Sequence, residues 1–269
     1  MASREPGQNE QMPPDSQQMT TARALDMAMQ HNQAGDVAKA ESIYQQILRV
    51  QPNHPGVLHL LGLIAHQVGE NGIAADLITR AVEVQSDFAE AHSNLAAVYL
   101  ALNEPDKAAA SCRKALAIKP DYADAYFNLG NVFQKLGKPE EAVASYRKAL
   151  AIKPELTGAH NNLGNALQNM EKLEEAVASY RNALAIAPNY ADALSNLGSA
   201  LKKTGEFEAA MASCRKALAI DPNFAGAHYN LDNALQRSGR LEEAVASYRQ
   251  ALAIEPNYAD THNNLGTAL

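Results

Sequence analysis

A chain of 269 residues with 46% apolar content can bury a continuous core, which excludes a wholly disordered protein. Its 23 Lys and Arg against 30 Asp and Glu leave a formal charge of −7, spread along the sequence without a basic cluster, so neither nucleic acid nor an anionic membrane surface is an expected partner. No apolar run approaches a bilayer span, and the start, MASREPGQNEQMPPDSQQM, contains no apolar segment that could serve as a secretory signal, so the expected location is cytoplasmic.

Residues 1–20 are expected to form a disordered tail. Beyond them the chain repeats itself. HSNLAAVY at 92, YFNLGNVF at 126, HNNLGNAL at 160, LSNLGSAL at 194, HYNLDNAL at 228 and HNNLGTAL at 262 each begin 34 residues after the one before. The same phase reaches back to LHLLGLIA at 58 and ALDMAMQH at 24. The predicted repeats are 21–54, 55–88, 89–122, 123–156, 157–190, 191–224 and 225–258, with a partial one at 259–269.

Each repeat predicts two helices, A and B. In the repeat from Ala123, Tyr126, Leu129, Gly130 and Phe133 make one amphipathic stripe, and Ala142, Tyr146, Ala149 and Leu150 make a second. Gly137 breaks between them, and Pro139 suits the first turn of helix B. Pro52, Pro120, Pro154, Pro188, Pro222 and Pro256 share one slot after helix B, where proline ends a helix; Ser86 takes that slot in the repeat from Pro55.

The pattern of Leu129, Gly130, Phe133, Gly137, Ala142, Tyr146, Ala149 and Pro154 resembles the tetratricopeptide repeat and covers the chain after residue 20. The resemblance implies an all-α fold, a right-handed superhelical solenoid of antiparallel helix pairs. The recurring NLG or NLA preceded by ADAY, ADAL or ADTH is similar to the repeats of O-linked N-acetylglucosamine transferases and SPINDLY-like proteins, and QAGDVAKAESIYQQILRVQPNHPGVLHLLGLIA is similar to the amino-terminal start of their bacterial relatives.

Small residues at Gly130, Gly164, Gly198, Ala142, Ala176 and Ala210 suit close helix approach. Cys112 and Cys214 share the slot of Tyr146, Tyr180 and Tyr248 and read as core residues; three repeats apart, they are too distant to form a bridge. His92, His160, His228 and His262 share another slot, at least one repeat apart, which rules against a common metal ion. HExxH, GxGxxG, Walker A and nucleophile-elbow motifs are absent, so no catalytic residue, metal or cofactor is expected in this chain. Glu140, Glu141, Glu174, Glu175, Glu242 and Glu243 open the B helices, as the helix dipole favours, and read as solvated surface. Asp232 occupies the slot of Gly130, Gly164 and Gly198, where a carboxylate is squeezed against the neighbouring helix unless it finds a donor.

The candidate site is the asparagine series Asn94, Asn128, Asn162, Asn196, Asn230 and Asn264, one per repeat and outside the apolar stripe. Asparagine is a mediocre helix former, so helix propensity does not account for the series. In a superhelix with the A helices inside, these amides would line the groove as a ladder facing solvent, with Asn131, Asn165, Phe127 and Tyr229 beside it. An amide carries the donor and acceptor that complement a peptide group. Rungs about 10 Å apart match every third residue of an extended chain. The transferase resemblance implies the same grip on polypeptide; the competing role is bonding between repeats that only stiffens the stack.

The expected function is a protein–protein interaction module binding extended polypeptide. One alternative is the substrate-recruiting region of a transferase whose catalytic domain lies outside this chain, and another is a structural oligomerisation module. HNNLGTAL, with His262, Leu265 and Leu269 on one face, is expected to be an uncapped last helix. It would belong to a longer protein, and would fray or self-associate in isolation.

Overall fold

The computed structural model describes residues 20–254 and Leu265. The expected tail up to residue 19, Asn264 and all of the partial repeat except Leu265 lie outside the described residues. Two units divide the chain, Met1–Ser86 and Asp87–Leu269.

Among the described residues the secondary structure is helical throughout, in pairs, and A and B are separated by a short turn. The first unit holds α1 (Thr21–Gln33), α2 (Val37–Val50), α3 (Pro55–Gln67) and α4 (Asn71–Val84). Their apolar faces meet around Ala28, Ala40, Tyr44, Val57 and Leu61. The second holds α5 (Ala89–Ala101), α6 (Pro105–Ile118), α7 (Ala123–Lys135), α8 (Pro139–Ile152) and α9 (Thr157–Asn169). It continues with α10 (Leu173–Ile186), α11 (Ala191–Thr204), α12 (Phe207–Ile220), α13 (Ala225–Arg237) and α14 (Leu241–Ile254). Each odd-numbered A helix packs on the B helix that follows it, and α7, α9, α11 and α13 also pack on the B helix before them. The fold is an all-α solenoid of helix pairs.

Helix A can lie against helix B because a side chain is missing at the crossing. A Cβ added to Gly130 would stand 2.5 Å from the Tyr146 ring, and one on Gly164 would stand 2.5 Å from Tyr180. The rings are wholly buried and take the space that a side chain on the facing helix would need. Where the large residue is Cys112, the facing helix carries Ala96. Helix B stops before the proline slot, and the N–H of the next residue (Lys153 after α8) still bonds back to the carbonyl of Ala149.

The A-to-B turn has a period of its own. Gly35, Gly69, Asn103, Gly137, Glu171, Gly205 and Gly239, successive members 34 residues apart, all adopt positive φ, from 60° to 87°. The next residue's N–H bonds back into helix A, as Lys138 does to the Phe133 carbonyl at 2.8 Å and Lys172 to the Leu167 carbonyl at 2.9 Å. Glycine adopts this conformation without steric cost, whereas the Cβ of Glu171 at φ 60° does not.

Asp232 is the exception in the core. It is fully buried in the slot opposite Tyr248, and neither carboxylate oxygen has a hydrogen-bond partner among the described residues. Burial pushes its carboxyl up from 3.8 to about 7, and the Ser247 hydroxyl, close to the carboxylate but outside hydrogen-bond geometry, opposes the shift. The carboxyl therefore binds its proton more tightly folded than unfolded, and the unfolded chain releases it first as pH rises. Asp232's own contribution to stability is therefore most favourable below about pH 4 and declines until about pH 7.

Glu171→Gly relieves the left-handed strain and raises stability by about 0.5–1 kcal/mol, measured as a higher urea midpoint. An unchanged midpoint would show that the turn holds Glu171 without strain. Asp232→Gly stabilises the chain by on the order of 2–4 kcal/mol at about pH 8 and by less at about pH 4, flattening the wild-type decline. Parallel pH profiles for the two proteins would contradict the burial account.

Candidate functional site

The site is built on the A helices of the second unit. α5, α7, α9, α11 and α13 touch in succession, while among the described residues no two B helices of that unit approach as closely, so the unit curves with its A helices inside. Asn94, Asn128, Asn162, Asn196 and Asn230 stand one per A helix on this face, each half-buried.

Their amide donors are engaged between repeats. Asn128 Nδ2 donates to the Ser93 carbonyl at 3.0 Å and to Ser93 Oγ at 3.1 Å. Asn196 Nδ2 donates to Asn161 Oδ1 at 3.1 Å, and Asn230 Nδ2 donates to the Ser195 carbonyl at 3.3 Å and its Oγ at 3.2 Å. Each acceptor residue directly precedes the ladder asparagine of the previous A helix. In α7 that place belongs to Phe127, whose ring offers no acceptor, and Asn162 Nδ2 turns instead to Asn131 Oδ1 at 2.8 Å. The inter-repeat bonding expected of the competing role is therefore present, and the amides do not simply face solvent: one hydrogen of each of these four amides ties its helix to the one before.

The acceptors are distributed differently. Asn162 Oδ1 takes a bond from Asn161 Nδ2 at 3.2 Å, and Asn230 Oδ1 faces the Lys202 ammonium at 3.5 Å. Asn128 and Asn196 each have an Oδ1 that accepts no hydrogen bond among the described residues, although neither atom is buried.

Beneath the ladder, the core tyrosines reach up into the groove. The Tyr146 hydroxyl makes a forked donation to Asn131 Oδ1 and Gln134 Oε1, each at 2.8 Å, and the Tyr180 hydroxyl donates to Asn165 Oδ1 at 2.7 Å. Burial raises both phenols, so they stay protonated donors at neutral pH. Phe127 packs inward, its ring 6.0 Å from that of Tyr146, and a Cβ on Gly158 of α9 would meet it at 3.4 Å. Tyr229 is half-buried below the Lys202 ammonium, 5.6 Å from the ring centroid.

The repeat of α11 and α12 departs from this scheme. Gln134, Gln168 and Gln236 accept from the hydroxyls of Tyr146, Tyr180 and Tyr248. The corresponding pair here is Lys202 and Cys214. Burial lowers Lys202, the neighbouring Cys214 opposes that shift, and the cations Lys203 and Arg237 add to it. Arg237 of α13 thus joins the adjacent Lys202 and Lys203 of α11 in one positive neighbourhood.

The remaining candidates have structural partners. His160 Nε2–H donates to the Pro154 carbonyl at 2.9 Å and His228 Nε2–H to that of Pro222 at 3.0 Å, strapping each inter-repeat turn to the helix it enters. Both cysteines are buried and free, their thiols pushed up to about 12 by burial, which leaves them protonated and unreactive. Among the described residues no group of three His, Cys, Asp or Glu is placed to hold a metal ion, and no helix is long and apolar enough to cross a membrane. The positional role of Ser93, Asn161 and Ser195 as acceptors is absent from the sequence expectation; its trace there is a polar residue immediately before Asn94, Asn162 and Asn196.

Tetratricopeptide repeat profiles match residues 87–155 and 191–224, and a related profile, described as TPR repeat, matches 169–205 and 233–269. Comparison with curated proteins gives no match. Among solved structures, a chain of the APC/C hetero-tetramer Cut9–Hcn1 superposes with a TM-score of 0.80 at 20% identity over 93% of this chain, which spans 51% of that one and shows the shared fold alone. YrrB, described as a TPR protein with an unusual peptide-binding site, gives a TM-score of 0.60 at 26% identity over 72% of this chain and 100% of its own. MamA gives 0.56 at 25% identity, with coverage of 62% and 97% respectively. The matched profiles, the 34-residue helix pairs and the small-residue crossings agree: the chain belongs to the tetratricopeptide repeat family.

Proposed function

We propose that this chain is a non-catalytic interaction module that holds an extended polypeptide along the A-helix face of its second unit. The observation that carries the reading is the division of labour within the ladder amides. Their donors brace the stack, while Asn128 and Asn196 keep Oδ1 acceptors out of the core and without an internal partner. A peptide backbone supplies the missing donor, because its N–H groups have no sequence-dependent chemistry. A-helix spacing of about 8–10 Å matches about three residues of extended chain, so successive rungs meet equivalent backbone positions. The peptide-binding description of YrrB, at 26% identity, supports a groove of this kind.

The neutral composition around the middle rung supports backbone recognition over a side-chain code. Asn161, Asn162, Asn165 and Gln168 present amides and no charge. Such a surface tolerates many ligand sequences and binds each modestly, since a net hydrogen bond between neutral groups contributes about 0.5–1.5 kcal/mol.

Alanine at both Asn128 and Asn196 removes bracing and binding together. The double variant is expected to bind a fluorescein-labelled peptide of alternating serine and glutamine roughly tenfold more weakly and to melt a few degrees lower. Undiminished peptide affinity with a lowered melting temperature would leave the amides as braces alone and sink the groove reading.

A further inference from the structure

We propose that the α11–α13 stretch of the groove receives a carboxylate, so that the preferred ligand is an extended segment carrying aspartate or glutamate side chains. This rests on the peptide-groove reading and adds to it a chemical preference located at one rung.

Lys202 is half-buried at the ladder itself, with its ammonium 3.5 Å from Asn230 Oδ1 and 5.6 Å from the centre of the Tyr229 ring. Among the described residues no carboxylate pairs with Lys202, Lys203 or Arg237, whereas on the outer face Arg147 pairs with Glu175 at 2.7 Å and Arg215 with Glu243 at 3.3 Å. The ammonium is thus held partly out of water with one weak neutral acceptor. The nearby charges of Lys203 and Arg237 share its sign, in a protein whose net charge is −7. A cation in that position gains when an anion arrives, because the cost of removing it from water has already been met in the folded chain.

The geometry favours a carboxylate on a bound strand over a free anion. The ammonium touches the same asparagine that serves as a rung, so a segment lying across Asn196 and Asn230 brings its side chains to Lys202 while its backbone N–H groups face the rungs. Repeats with glutamine in this slot hold a tyrosine hydroxyl there; the exchange of Tyr and Gln for Cys214 and Lys202 removes that hydroxyl and leaves the lysine to the groove. A charge-assisted bond formed at a partly desolvated site gives on the order of tenfold in affinity.

Fluorescence anisotropy with two labelled peptides tests this, one alternating serine with glutamate and one alternating serine with glutamine. The wild-type chain is expected to bind the glutamate peptide roughly tenfold more tightly despite the net repulsion between peptide and protein. Lys202→Gln, which installs the residue found in the neighbouring repeats, is expected to bind the two peptides alike and to keep the wild-type affinity for the glutamine peptide. Lys202→Met is expected to do the same, and Lys202→Arg to retain the preference. Equal binding of both peptides by the wild type overturns the carboxylate site and leaves the groove reading intact. A glutamate preference that survives in Lys202→Gln and Lys202→Met also overturns it, since the charge would then be read elsewhere. Failure of both peptides to bind removes the groove reading and the carboxylate site together.

Discussion

The close crossing of helix A on helix B at Gly130, Gly164 and Gly198 is the constraint on which the rest of the second unit depends. A wholly buried Tyr146 or Tyr180 can fill the crossing only because the facing position has no side chain. Each tyrosine has two faces of use: its ring supplies the apolar burial of the pair, while its hydroxyl emerges among Asn131, Gln134 and Asn165 and fixes the amides of the groove floor. Core packing and groove chemistry are therefore joined through single side chains. Where the tyrosine gives way to Cys214, the floor amide gives way as well, to Lys202. Asp232 marks the same crossing from the other side, since a carboxylate in that slot meets Tyr248 and finds no donor.

The asparagine ladder follows a related logic one layer out. A side-chain amide has two N–H bonds and one carbonyl, more capacity than a single neighbour can use. The inter-repeat bonds to Ser93, Asn131, Asn161 and Ser195 order each amide before any ligand arrives. An acceptor already fixed in place loses little freedom on binding, so in the proposed groove the bracing would favour recognition. The outer-face ion pairs have no comparable role: Arg147–Glu175 and Arg215–Glu243 are about half exposed and contribute little.

Much of this was legible in the sequence because the repeat makes each residue visible several times. Pro139 and its equivalents, the apolar stripes, and the Gly130 slot mark the helix pairs, and the ladder stands out as a series no helix propensity explains. What stayed hidden depends on through-space neighbours. Asn128, Asn196 and Asn230 bond to residues 35 positions back, but Asn162 bonds 31 back, to Asn131, and the position 35 before it is Phe127, which has no side-chain acceptor. The break at Gly137 was legible, and Asn103 also suits a left-handed turn, but the turn was hidden at Glu171, where the backbone is imposed by the helices on either side against the preference of the residue. The positive region around Lys202 was invisible for the same reason: Lys202 and Lys203 are separated in sequence from Arg237 and come together only when α11 and α13 stack.

Binding of extended polypeptide to the A-helix face of the second unit, as proposed, would engage the ladder amides themselves. The most direct measurement is the position of asparagine side-chain resonances in an isotope-labelled sample as an unstructured serine–glutamine peptide is added. The account predicts saturable shifts of the Asn128, Asn162, Asn196 and Asn230 amides, with residues of the outer helices, such as Ser179 in α10, unmoved. Shifts confined to the outer helices, or ladder resonances that stay fixed while the peptide binds, would contradict it.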